Sequence, residues 1–93
     1  MASASEAFGK FSIWHRLKTP LKVTSIVNGK TESVFSALIF AVDADASQVG
    51  IGVPSTRSVA AYDVEDATFS VEDKRLVATR NESDWLIFEE EES

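Results

Sequence analysis

The residue best suited to move a proton near neutral pH is His15, the chain's single histidine, because only imidazole ordinarily titrates there. Catalysis at His15 needs a nucleophile and an orienting carboxylate brought to it in space. No motif supplies them, and the surrounding run is Phe11-Ser12-Ile13-Trp14-His15-Arg16-Leu17-Lys18. Read with a period of two, it puts Phe11, Ile13, His15 and Leu17 on one face and Ser12, Trp14, Arg16 and Lys18 on the other. His15 is then a half-buried or edge histidine. Asp43-Ala44-Asp45-Ala46-Ser47 begins like a calcium loop, with oxygen donors at alternate positions. Gln48 stands where such a loop needs glycine, and Pro54 where it needs a bidentate glutamate, so a polar hairpin loop is expected instead.

Two groups of side chains could recognise a partner. Asp63, Glu65, Asp66, Glu72 and Asp73 crowd two adjacent segments. Such carboxylates solvate turns and guard strand ends, and they can also steer a basic protein partner. Trp14 with Arg16 and Lys18 forms an aromatic and basic surface of the kind on which single-stranded nucleic acid stacks. One aromatic ring and a few cations are too few for that, and the net charge of −6 and pI near 4.6 oppose it. Neither nucleic acid nor an anionic membrane is an expected partner. The chain has no cysteine, which excludes disulfides and thiolate sites, and its one histidine excludes a two-histidine metal site. It carries no glycine-rich phosphate loop and no Gly-x-Ser-x-Gly elbow. The expectation is a domain without cofactor or metal, and not an enzyme.

At 93 residues, the elements that would position these groups must belong to one small domain. Residues 1–8 are small and polar and read as a flexible N-terminus, residues 9–88 as a single β domain, and residues 89–93 as an acidic tail. The first strand runs to Thr19-Pro20, where proline breaks it. Leu21–Val27 is rich in β-branched residues, and Asn28-Gly29 marks a two-residue type I′ hairpin. Pairing outward from that turn sets Val27 against Lys30, Ser25 against Glu32 and Val23 against Val34.

Residues 33–42 are apolar enough to be a central strand or a helix, and the preceding turn and the Val, Ile and Phe content favour the strand. Val49, Ile51 and Val53 alternate with Gly50 and Gly52, which suits a bend or a close approach of another chain segment. Residues 57–64 suit a strand or a single helical turn. Residues 67–72 and 75–80 form a hairpin across Asp73-Lys74, with Val71 opposite Leu76 and Phe69 opposite Ala78. Trp85 opens a last strand as a core anchor.

The spacing predicts an all-β fold, a small antiparallel barrel or sandwich of about six to seven strands with meander hairpins, or α+β if residues 33–42 are helical. For such a domain the expected function is protein–protein interaction through an edge strand or the acidic patch, with homo-oligomers through edge strands as one form. A small acidic inhibitor that blocks a basic site is the alternative, and a ligand-binding barrel beside His15 the second. The N-terminal segment lacks the features of a secretory signal, and the longest apolar run, Ala37–Val42, is far too short to span a bilayer, so a cytoplasmic protein is expected.

Overall fold

In the computed structural model, which describes residues 3–91, one helix lies against a single antiparallel sheet of seven strands. The elements are α1 (Ala4–Leu17), β1 (Leu21–Val27), β2 (Lys30–Asp43), β3 (Gln48–Val53), β4 (Ser58–Asp63), β5 (Thr68–Val71), β6 (Arg75–Thr79) and β7 (Trp85–Glu90). Two meanders, β1 to β4 and β5 to β7, are joined by pairing of β1 with β7, which gives the order β4-β3-β2-β1-β7-β6-β5. The fold is mostly β, as the strand spacing requires, and residues 33–42 lie in a strand. The sheet does not close: β4 and β5 remain as its two edges.

Those edges are joined by residues 64–67 alone. The step from Asp63 to Thr68 can reach at most about 18 Å. In a flat sheet of this order the edges would lie about 29 Å apart, so the sheet curls. Helix α1 lies in its hollow. The core gathers Ala7, Phe8, Phe11 and Trp14 of α1 with Leu21, Val23, Ala37, Ile39, Val49, Ile51, Phe69, Leu76, Ala78, Leu86 and Phe88 of the strands. Phe11 sits at its centre, its ring edge-on to Phe8, Trp14 and Phe88 at centroid distances of 5.8, 6.2 and 5.1 Å.

The helix corrects the expected first strand, and residues 4–8, expected to be flexible, are its opening turns. Ser3 caps it, its hydroxyl oxygen accepting from the Glu6 amide at 3.2 Å. Ala7, Phe8, Phe11 and Trp14 then follow at helical spacing and are all buried. That stripe outweighs the period-two pattern of Phe11, Ile13, His15 and Leu17: Ile13 and Leu17 are exposed. Lys18 ends the helix at φ 52°, just before Thr19-Pro20. Glu90 locks it to β7. Its carboxylate accepts from the Trp14 indole N–H at 3.2 Å and lies 3.7 Å from the Lys10 ammonium.

Asn28 and Gly29 both have positive φ, 54° and 74°, and turn β1 into β2 as expected. Past Val27–Lys30 and Ile26–Thr31 the expected register fails, because Glu32 is an extra residue. Beyond it Ser25 faces Ser33 and Val23 faces Phe35. The slip of one turns Phe35 toward the core and leaves Val34 outside. The β5–β6 register is the expected one, with Val71 opposite Leu76 and Phe69 opposite Ala78. Trp85 is only half-buried, and Leu86 and Phe88 do the anchoring in β7. Of the expected acidic tail, Glu89 and Glu90 belong to β7 and residues 92 and 93 lie outside the described residues, as do residues 1 and 2.

Candidate functional site

The two edges of the sheet are treated differently. β5 is four residues long, and α1 packs along it with the Phe8 ring 6.3 Å from Phe69 and the Lys10 ammonium donating to the Asp73 carbonyl. Among the described residues nothing covers β4 in this way. Ser58, Val59, Ala60, Ala61 and Asp63 are exposed, Val59 by 71%, and only Tyr62 is half-buried. From Ser58 to Tyr62 the strand has no charge and no proline, and its pairing with β3 has no bulge. These are the devices that usually blunt an edge.

The direction of the free amides follows from the ladder. The Val64 amide donates to the Ser47 carbonyl at 2.8 Å, so this pair is hydrogen-bonded to β3. Antiparallel ladders alternate, so Tyr62, Ala60 and Ser58 also turn their backbone groups to β3. Val59, Ala61 and Asp63 present theirs to the open side. Tyr62 keeps its hydroxyl neutral to higher pH than usual, because burial disfavours the phenolate and Glu32 adds repulsion.

An apolar hollow lies beside this edge. In β2, Ile39 faces Ile51 and Ala41 faces Gly50, which leaves Phe40 as an extra residue between them. Phe40 is 48% exposed, and its ring lies over Gly50: a Cβ there would come within 3.0 Å of Cζ. The glycine therefore answers the expected close approach, the neighbour being a ring. On one side of Phe40 a shallow hollow of about 240 Å³ is lined by Leu38, Gly52, Val53, Pro54, Arg57 and Val59. On the other, His15, Lys18, Leu38 and Ile39 line a second of about 280 Å³. The His15 Nδ1–H donates to the Ile39 carbonyl oxygen at 3.0 Å, at the point where β2 leaves β1 for β3, so His15 fastens the end of α1 to the bend.

The five acidic residues are not one patch. Asp63, Glu65 and Asp66 stand between β4 and β5, where the Asp63 carboxylate accepts from the Glu65 amide at 2.9 Å. Glu72 and Asp73 stand at the far end of β5, in its turn to β6, and the five residues between the groups, mostly extended chain, separate them by about 20 Å. The aromatic and basic surface is corrected by the helix. Trp14 is 1% exposed and belongs to the core, while Arg16 and Lys18 are exposed, so the three form no common surface. The Asp43 carboxylate accepts from the Ala46 amide at 3.1 Å and shapes the β2–β3 turn. Among the described residues no group of three or more His, Asp or Glu is placed to hold a metal ion, and no helix is long and apolar enough to cross a membrane.

Sequence reasoning missed Phe40 and the identity of the free edge. Gly50 and Gly52 carried a signal for Phe40, because a pair of outward glycines in a strand makes room for a large neighbour. Comparison of the chain with protein-family models, with curated proteins and with solved structures finds no match.

Proposed function

We propose that this chain is a non-catalytic protein-interaction module whose working surface is the open edge of β4, with the hollow beside Phe40 as its apolar seat. One observation carries the proposal: β4 offers uncharged backbone, with Val59, Ala61 and Asp63 presenting unpaired amides and carbonyls, while α1 packs along the other edge. An added strand gains its affinity from main-chain hydrogen bonds and its selectivity from side-chain seats beside them. Val59 and Phe40 supply such a seat. The setting we propose is the cytoplasm, supported by the cysteine-free composition.

The experiment compares wild type with Ala61→Pro and with Glu65→Lys/Glu72→Lys as immobilised bait in lysate of the source cells. Proline removes one outward amide of β4. A protein held at high salt by wild type and by the double variant, and lost with Ala61→Pro, supports the edge. Retention by all three overturns it. A protein lost at high salt and with the double variant transfers the function to the carboxylates.

A further inference from the structure

We infer that the strand received by β4 is β4 of a second copy of this chain, paired antiparallel with Ala60 opposite Ala60. This rests on the open-edge reading above and goes further by naming the partner and the register. Only Val59, Ala61 and Asp63 present backbone groups to the open side, so a second β4 must place these residues opposite one another. The two-fold axis of such a pair therefore passes through one of the residues from Val59 to Asp63, and an axis at Tyr62 or Asp63 leaves at most residues 61–63 overlapped, which reduces the choice to Val59, Ala60 and Ala61.

The three choices differ in what meets. Centred on Ala60, Val59 faces Ala61, Ser58 faces Tyr62, and Arg57 faces Asp63 of the other copy, twice by symmetry. Five of the six residues of β4, residues 58–62, then pair with one another. Centred on Ala61, the Asp63 carboxylate is set against Val59. Centred on Val59, Asp63 faces Ser55 in the turn before the strand, and the overlap shrinks. Length rejects the Val59 centre, which overlaps only residues 58–60, and charge complementarity chooses Ala60 over Ala61. Side-chain size agrees: small alanines at the centre let the backbones approach, and Val59, 71% exposed in one copy, gains Ala61 of the other on the outer face. Arg57, in the turn just before β4, and Asp63, the last residue of β4, are both exposed, and their side chains are free to meet across the pair. The pairing consumes the open edge of each copy and closes at two.

The test is sedimentation velocity with amide hydrogen exchange on wild type, Arg57→Asp, Asp63→Arg and an equimolar mixture of the two variants. Alone, each variant sets like charges opposite one another at both ends of the pair. In the mixture every Arg again meets an Asp. The expected result is a wild-type dimer with Val59 and Ala61 amides slowed as concentration rises, dimerisation about tenfold weaker for each variant alone, and recovery in the mixture to within about threefold of wild type. Because both variants enter the mixture, recovery also shows that both fold. Equal dimerisation of all four samples overturns the register. A wild type that stays monomeric at millimolar concentration, with Val59 and Ala61 exchanging freely, overturns the second copy as partner. If a protein is then still captured through Ala61, the open-edge reading survives. If none is, both fall.

Discussion

Replacing Phe11 and Ile13 by alanine, one at a time, separates the helix from the strand that alternation suggests. On a strand both residues share the buried face, and both substitutions would cost several kcal/mol. On α1, Phe11 is fully buried against Phe8, Trp14 and Phe88, whereas Ile13 is 43% exposed. Emptying a core phenylalanine site costs about 3–5 kcal/mol, and the three edge-on rings place Phe11→Ala toward the upper part of that range. Ile13→Ala loses at most about 1 kcal/mol of partial burial, and alanine's better helix propensity returns about half of that. A domain of this length holds about 5–14 kcal/mol in all, so Phe11→Ala should approach the unfolding threshold while Ile13→Ala melts close to wild type. Urea unfolding followed by the fluorescence of Trp14 and Trp85 measures both. Equal losses, or a greater loss at Ile13, would refute the helix and with it the cover that α1 gives to β5.

Three further outcomes follow from the same contacts. Glu90→Ala removes the acceptor of the Trp14 indole and the neighbour of Lys10, and should cost about 1–2 kcal/mol in urea unfolding, while Glu90→Gln, which keeps an acceptor oxygen, should cost less. Gly29→Ala forces a side chain into a left-handed conformation at φ 74° and should cost about 1–2 kcal/mol with the β1–β2 pairing otherwise intact in amide exchange. The Asp84 carboxyl is held below the usual carboxylate range, first by the Asn28 amide and then by the Asn81 side chain. A depressed value favours the folded state above the usual carboxylate range, and that advantage is lost as pH falls through the lowered one. Stability measured from about pH 5 to about pH 2 should therefore fall more steeply for wild type than for Asp84→Asn.

What the sequence made legible was local. Asp73-Lys74 and Asn28-Gly29 fix their hairpins because a two-residue turn dictates what faces what at the first pairs, and β5–β6 keeps that register to its end. β1–β2 does not, since Glu32 enters as an extra residue without any glycine or proline to announce it. The helix was hidden by a coincidence of periods. Its buried stripe starts at Ala7 and Phe8, across the apparent boundary at Gly9, while Ile13 and Leu17 imitate a strand face. The Ser3 and Glu6 capping pair was the available signal. The site was less legible still, because which strand is an edge depends on β1 meeting β7 across some sixty residues of chain. No local pattern in Ser58–Asp63 records that pairing, and the strand could be read as one helical turn until its place in the sheet was known.

The helix therefore decides more than the core. A seven-stranded open sheet has two edges, and a module that associates through both forms chains instead of pairs. Here α1 reaches β5 through Phe8 on Phe69 and Lys10 on the Asp73 carbonyl, and leaves β4 alone. Loosening the first of these contacts should convert a closed association into an open one. Phe8→Ser weakens the seat over β5 and takes one ring from the packing around Phe11, while leaving β4 untouched. Where wild type stops at two copies, this variant, shown to be folded by its far-ultraviolet circular dichroism, should sediment as a broadening series of larger species as its concentration rises. Adding Ala61→Pro to it should cut that series back to pairs joined through β5. A folded Phe8→Ser variant that still stops at two copies would mean that four residues of β5 are too short to pair, and that strand length, not the helix, protects that edge.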